Sequence, residues 1–401
     1  MNYPNLRPNI VIKNIERPAI YDIENDNLYE LDSESYELIK YFSGKNKLED
    51  IIAQSEFDKD ESYEFVNSLE ELGLIEDRFD DSLDIFQDPK PIKPPSLRIL
   101  LIHLTTGCNM RCKHCYLRKD DVKNVPLDIL LETIREFVDL QGFKILLSGG
   151  EPLLYPDLFK LLNKIKNLKI RKVLFSNGLL MNEDIAFKLK GLVQEVQISV
   201  DGLKSTHDEF RNCKGAYDSA INAIKILKKH DFPVSISTMV HGKNLQEFDE
   251  LSSLFKGLEV DNWYLDMPCG EPDSDFIKEY GVSPEDAGSI LRENGWGNPP
   301  GDFSINYACG AHLCAIMANG DVSKCGFFEN EPVGNISNES LETLWGKIQE
   351  DYIWDLKKLE CYELKCPYIE ECYGGCRYRA KIMFGGLMKV DKVKCKMYNF
   401  L

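Results

Sequence analysis

Long apolar runs are missing from this chain. No stretch approaches the ~18 consecutive apolar residues of a membrane span. The opening residues, MNYPNLRPNI, lack the apolar core of a signal peptide. A basic excess is missing too. The 48 Lys and Arg face 66 Asp and Glu, a net charge of −18, which argues against general nucleic-acid or anionic-membrane binding because both need a positive face. There is no low-complexity segment, and no repeat beyond an alternation of strand-like and helical stretches. The expectation is a cytoplasmic protein with no nucleic-acid and no membrane partner, and its 401 residues suit two or three domains. Cysteine, by contrast, is plentiful. Thirteen thiols in a reducing compartment point to metal or redox chemistry rather than a disulfide framework.

The expected fold class is α/β: a partial (β/α)6 TIM-like barrel between an N-terminal winged-helix-like domain (1–87) and a small C-terminal cysteine-rich domain (306–401). At the N-terminus, NIVIKNI, RPAIYDI and NLYELD are short strand-like runs, with a turn at ENDN from Glu24. Amphipathic helices follow near 33–43, 47–54 and 60–72, the last ending at Gly73. DPKPIKPPS (88–96) is a stiff linker. From Leu97 six strand–loop–helix units run to about 268, with strands LRILLIHL, FKILLSG, RKVLFSN, EVQISV, PVSIST and NWYLDM. Near-continuous apolar strands alternating with helices predict a parallel sheet, and functional loops then follow the C-terminal ends of the strands. Residues 269–305 read as a connector with one helical stretch near 283–293.

Cys108, Cys112 and Cys115 follow the first barrel strand in GCNMRCKHCY. Three thiolates at this spacing can wrap one face of a metal cluster but leave a coordination position open, whereas structural zinc takes four ligands. Spacing alone leaves zinc with a distant fourth ligand, such as His103 or His114, and inert core thiols as alternatives. The later strand ends add SGGEPLL (148–154), SNG (176–178) and ISVDG (198–202), polar glycine-bearing loops on the same rim.

CNMRCKHCY, SGGEP and SVDG, in this order on six β/α units, resemble the radical S-adenosylmethionine (radical SAM) superfamily over about residues 97–268. The resemblance implies a 4Fe–4S cluster on Cys108, Cys112 and Cys115, with S-adenosyl-L-methionine on the remaining iron. It implies that Gly149, Gly150 and Glu151 bind the methionine amino group and that Ser199 and Asp201 contact the sulfonium and ribose. Tyr116 is then an aromatic near the adenine, with Asn177 and Arg211 as further cofactor contacts, the arginine for the methionine carboxylate.

The C-terminal segment reads CGAHLCAIMANGDVSKC, CYELKCPYIEECYGGC and VKC. It has no C-x2-C knuckle of the kind a double zinc ribbon prefers. It resembles the SPASM domain of radical enzymes that act on peptides and proteins, although Cys361 and Cys366 are x4 apart where the family commonly has x2. The resemblance implies two auxiliary 4Fe–4S clusters, three in all: one on Cys309, Cys314, Cys325 and Cys376, the other on Cys361, Cys366, Cys372 and Cys395. Cys213 and Cys269 are left over. Cys269 and Asp266, at the end of the sixth strand, are the candidate catalytic groups. The N-terminal module resembles the PqqD-like recognition element (RRE) that grips the leader of a ribosomally made precursor peptide, and the acidic stretch 76–84 can steer a basic leader.

The expected activity is therefore reductive cleavage of S-adenosylmethionine followed by modification of a precursor peptide: a thioether or carbon–carbon crosslink, epimerisation or oxidation. The expected partners are that peptide, through its leader, and a flavodoxin or ferredoxin as electron donor. Alternatives are a formylglycine-type sulfatase maturase, a tetrapyrrole or small-molecule oxidase, and a zinc-bound peptide-binding protein without catalysis.

Overall fold

Alternating Ile, Val and Tyr near the N-terminus become three short strands, because each alternate residue finds the same apolar face. The computed structural model describes residues 1–55, 57–81, 89–117, 121–297 and 306–401. The expected first-domain boundary at 87, residues 82–84 of the acidic stretch and 298–305 of the connector lie outside the described residues. The chain divides into two compact units. One comprises 1–96 with 138–143 and 169–171; the other comprises 97–137, 144–168 and 172–401.

In the first unit, β1 (Pro4–Leu6) is followed by the antiparallel sheet β2 (Ile10–Asn14), β3 (Pro18–Asp22) and β4 (Asn27–Glu30), with Ile12 opposite Ile20 and Ile20 opposite Tyr29. Helices α1 (Ser33–Ile39), α2 (Leu48–Gln54) and α3 (Lys59–Glu71) follow, and β5 (Ile75–Asp77) pairs with β1. Asp32 caps α1 and Asp58 caps α3 by accepting from backbone N–H groups of the first turn. Gly73, at φ +69°, takes the left-handed turn that ends α3. Ile12, Ile20, Ile39, Ile52, Val66 and Leu69 share one core. The β1–β5 pair was not expected: three residues are too few to show an alternating pattern.

In the second unit the strands are β6 (Ile99–His103), β7 (Lys144–Ser148), β8 (Arg171–Ser176), β9 (Glu195–Ser199), β10 (Val234–Met239) and β11 (Asn262–Asp266). They lie side by side in chain order. Parallel pairing is seen for β6–β7, β8–β9, β9–β10 and β10–β11. The helices between them are amphipathic. In α4 (Leu127–Asp139), Leu127, Leu130, Leu131, Ile134 and Phe137 are buried at i, i+3 and i+4 spacing. Among its described residues the connector forms two helices rather than one, α5 (Asp275–Tyr280) and α6 (Pro284–Glu293).

The C-terminal segment is continuous with this unit. β12 (Leu313–Ile316) pairs in parallel with β6, and β13 (Asp321–Ser323) and β14 (Gly334–Asn335) extend the sheet as an antiparallel meander. Among the described residues nine strands therefore form one mixed sheet with a parallel centre. Among the described residues no helix is long and apolar enough to cross a membrane.

Candidate active site

The C-terminal ends of β6 to β11 converge on one cavity of about 380 Å³, which requires the parallel sheet to curve. Its lining includes Cys108, Cys112, Cys115 and Tyr116 after β6, Gly149 and Gly150 after β7, and Asn177 after β8. Ser199, Met239 and Cys269 come from the ends of β9, β10 and β11. Arg211 lies in the same wall, and Phe327, Glu329, Asn330 and Tyr378 enter from the C-terminal segment.

The cysteine loop is stitched to the glycine loop. Gly150 N donates to Thr105 O at 2.7 Å and Glu151 N to Gly107 O at 2.9 Å. A Cβ on Gly150 would lie 2.2 Å from Gly107 O, and one on Gly149, at φ +136°, 2.5 Å from Thr105 O. The two glycines are thus required by loop-on-loop packing, and they also face the cavity. That packing is the physical reason for GGE at this place, distinct from the close ligand approach that sequence alone suggests.

Three donors point at the sulfurs. Met110 N lies 3.5 Å and Asn177 Nδ2 3.9 Å from Cys108 Sγ, and Arg211 Nη1 lies 4.0 Å from Cys112 Sγ. Burial pushes the Cys112 thiol up to about 11 and Cys108 in the same direction. These sulfurs therefore stay protonated until a cationic centre arrives and displaces the proton. Three thiols on one cavity wall, with donors on two of them and space beside them, fit a cluster that keeps one iron for a small ligand. Among the described residues no three His, Cys, Asp or Glu side chains are set to hold a single metal ion. A cluster that seats each thiolate on its own iron needs wider separation than one ion does. The histidines named as alternative zinc ligands have other neighbours. His103 Nε2 lies 3.4 Å from Tyr116 Oη, and the His114 ring stacks on Phe210 at 4.4 Å.

Two expected cofactor contacts lie behind the cavity wall. Glu151 is fully buried; Oε1 accepts from Ser176 Oγ at 3.0 Å and Leu153 N at 3.1 Å, and Oε2 accepts from Asn177 N at 2.9 Å. Asp201 is fully buried as well, with Oδ2 held by Arg211 Nε and Oδ1 by Met239 N. Each carboxylate organises residues that do line the cavity. Asp266 is half exposed; it accepts from its neighbour Met267 N at 2.8 Å and from Arg379 Nη1 at 3.5 Å.

The C-terminal cysteines fall into groups. Cys361, Cys366, Cys372 and Cys395 lie within electrostatic reach of one another. Cys325 and Cys376 do so separately. Cys309 is exposed, and Cys314 is buried in β12 with Lys324 as the charge acting on it. The cavity residues that sequence did not single out, Phe327 and Tyr378, each sit two places after a cysteine and stack at 5.4 Å. Their position beside Cys325 and Cys376 was the available signal.

Residues 102–255, the segment that carries the three-cysteine loop and the strand-end loops, match the Radical SAM superfamily. Similarity to individual proteins extends further. The chain is 28% identical to the AdoMet-dependent heme synthase of Methanosarcina barkeri, covering 73% of this chain and 95% of that one. It is 26% identical to the antilisterial bacteriocin subtilosin biosynthesis protein AlbA of Bacillus subtilis, covering 86% and 84%. It is 25% identical to a cysteine-type anaerobic sulfatase-maturating enzyme of Clostridium novyi, covering 70% and 88%. Among solved structures, Streptococcus suis SuiB bound to S-adenosylmethionine is similar with a TM-score of 0.67 at 17% identity, covering 97% of this chain and 99% of that one. These findings support a radical SAM enzyme that binds S-adenosylmethionine and an Fe–S cluster, related to peptide modifiers, sulfatase maturases and heme synthases.

Proposed function

We propose that this chain is a radical SAM/SPASM maturase of a ribosomally made precursor peptide. A 4Fe–4S cluster and S-adenosylmethionine, when bound, would supply one-electron cleavage of the sulfonium and, from it, hydrogen abstraction from the substrate. The chain's own groups hold and shield that chemistry. Cys108, Cys112 and Cys115 would hold the cluster; Gly149, Gly150, Asn177, Ser199 and Arg211 would orient the cofactor; Tyr116 would flank it. Glu151 and Asp201 act through the residues they fix. Walls from Phe327 and Tyr378 keep water and stray reductants from the reacting carbon.

The observation that carries the peptide reading is the N-terminal unit. SuiB, a structure of which is bound to its precursor peptide SuiA, resembles 97–98% of this chain, a span that takes in this unit. β4 is an edge of the three-stranded sheet and its least buried strand. An extended leader can add there, gaining main-chain hydrogen bonds. The proposed organisation is a recognition domain at 1–87, a radical SAM barrel at 97–268, a connector at 269–305 and an auxiliary-cluster domain at 306–401. The last holds two clusters, bringing the total to three. The protein is cytoplasmic and takes electrons from a flavodoxin or ferredoxin.

Similarity to heme synthases over 73% of the chain favours one second reading, a tetrapyrrole substrate. Co-expression with short reading frames neighbouring the gene separates the two. A mass shift in such a peptide is the expected result, and deletion of 1–87 weakens its binding without stopping uncoupled cleavage of S-adenosylmethionine. Turnover of an iron–porphyrin precursor with no peptide modified supports the second reading. Two zincs and no sulfide in the purified protein would contradict both.

A further inference from the structure

We infer that Cys269 is a thiolate ligand of the auxiliary cluster held by Cys325 and Cys376, in the place that spacing gives to Cys314. The inference rests on the proposed presence of auxiliary clusters in the C-terminal segment.

Strand register separates Cys314 from that group. β12 pairs with β6 so that Cys314 lies opposite Leu100 and Ala315 opposite Leu101. Side chains alternate across a sheet, so Cys314 shares a face with Leu100 and Ile102, all three fully buried. Leu101 is on the other face: a Cβ on Gly326, the residue after Cys325, would lie 3.3 Å from Leu101 Cδ2 and 2.5 Å from Tyr116 Oη. Ala315 packs on that face too, with Leu117 and Met317. Bringing Cys314 round to Cys325 requires a one-residue slip of β12, which would turn every side chain of the strand over.

Cys269 is already on the side of Cys325 and Cys376. It lines the cavity with Phe327 and Tyr378, which follow those two cysteines. Its thiol donates to Met267 O at 3.8 Å and lies close enough to that of Cys376 for the two to interact strongly, and Tyr378 lies within electrostatic reach of both Cys269 and Cys325. A buried clamp holds the β11 end in this place. Asp391 accepts from Arg379 Nε at 2.9 Å and Nη2 at 2.7 Å, and from Cys376 N at 2.8 Å, while Arg379 Nη1 reaches Asp266 at 3.5 Å. One carboxylate thus fixes both the Cys376 backbone and the arginine that meets the end of β11. With Cys309, the ligand set is Cys269, Cys309, Cys325 and Cys376. The cluster then has a ligand in the substrate cavity itself.

The test uses full-length protein with Cys108, Cys112 and Cys115 replaced by alanine, so that only auxiliary iron remains. After anaerobic reconstitution it should hold about eight irons with matching sulfide. Cys269→Ser should either lower this to about four or change the Mössbauer and EPR spectrum of one cluster. The group at Cys361, Cys366, Cys372 and Cys395 keeps its iron and reports correct folding. Cys314→Ser should leave content and spectra unchanged. Full retention in Cys269→Ser, or loss confined to Cys314→Ser, would overturn the assignment. No iron in the parent protein would instead remove the auxiliary-cluster reading itself. A second measurement avoids substitution. In the iron-loaded wild-type enzyme Cys269 should resist alkylation and become modified after iron is chelated, and its ready alkylation in the loaded enzyme would refute the inference.

Discussion

Arg211 donates from Nε to Asp201 Oδ2 at 2.5 Å, with the carboxylate side chain fully buried and the arginine side chain 11% exposed. This pair sets the cavity's one lining guanidinium among the described residues, and Arg211 Nη1 points on to Cys112 Sγ. Asp201 has no access to the cavity, so its effect on a ligand passes through Arg211.

Asp201→Asn leaves Arg211 buried without its counter-charge. Removing one partner of a buried pair costs about 3–5 kcal/mol, and urea denaturation of metal-free protein should show a loss of that order. S-adenosylmethionine binding should weaken about tenfold or more, measured by calorimetry on the loaded enzyme. The pH dependence has a defined sign. Burial pushes the Asp201 carboxyl up, but the Arg211 charge and the nearby His114 and His207 outweigh it and hold it well below the ordinary range. The stabilisation is therefore complete above the unfolded value of about 3.9 and fades as pH falls further. The wild-type advantage over Asp201→Asn should shrink in acid.

Glu151 behaves in the opposite sense. Burial pushes its carboxyl up to about 7, despite hydrogen bonds from Asn177 N, Leu153 N and Ser176 Oγ. Between the ordinary value of 4.5 and about 7 the folded state holds the extra proton, so this group makes stability fall as pH rises. Over the whole interval the change is on the order of 3 kcal/mol. Denaturation of metal-free protein at pH 5 and 8 should show that loss in the wild type and a flatter response in Glu151→Gln. Equal slopes would remove the assignment.

Lys13, on β2, has its Nζ buried against Gly142 O at 2.9 Å. Burial lowers it to about 7 from 10.5. In that interval the unfolded chain carries the proton and the folded chain does not, so stability should rise from about pH 7 towards pH 10. Lys13→Met should abolish the rise, as read by chemical denaturation across that range.

Arg379 and Asp391 are 3% and 0% exposed. Asp391→Asn should destabilise the protein by about 3–5 kcal/mol. It should also loosen Cys376, whose N–H donates to the same carboxylate. Proteolysis near Cys376 in the metal-free protein should accelerate in step with the loss of stability.

Local patterns carried much of this account. The three-cysteine loop, the GGE turn and six strand–helix units are readable because their periods and spacings lie within a few residues. The pairing of β12 with β6 is not, since it joins segments far apart in the chain and nothing local marks a partner. The strands β1, β5, β13 and β14, of two or three residues each, are too short for a period. A sequence shows that Glu151 and Asp201 stand next to glycine-bearing turns. Which groups occupy their oxygens depends on Ser176, Asn177 and Arg211 arriving from other loops. Spacing likewise counts cysteines without saying which face of β12 Cys314 occupies.

The central claim is a cluster on Cys108, Cys112 and Cys115 with one iron left for the cofactor. The direct measurement is 5′-deoxyadenosine formation from S-adenosylmethionine by anaerobically reconstituted, dithionite-reduced enzyme, compared with Cys115→Ala. The wild type should release the nucleoside, and the variant should release none while keeping its auxiliary iron. A wild type loaded with iron and sulfide that yields no 5′-deoxyadenosine, or a Cys115→Ala variant that yields as much, would contradict the account.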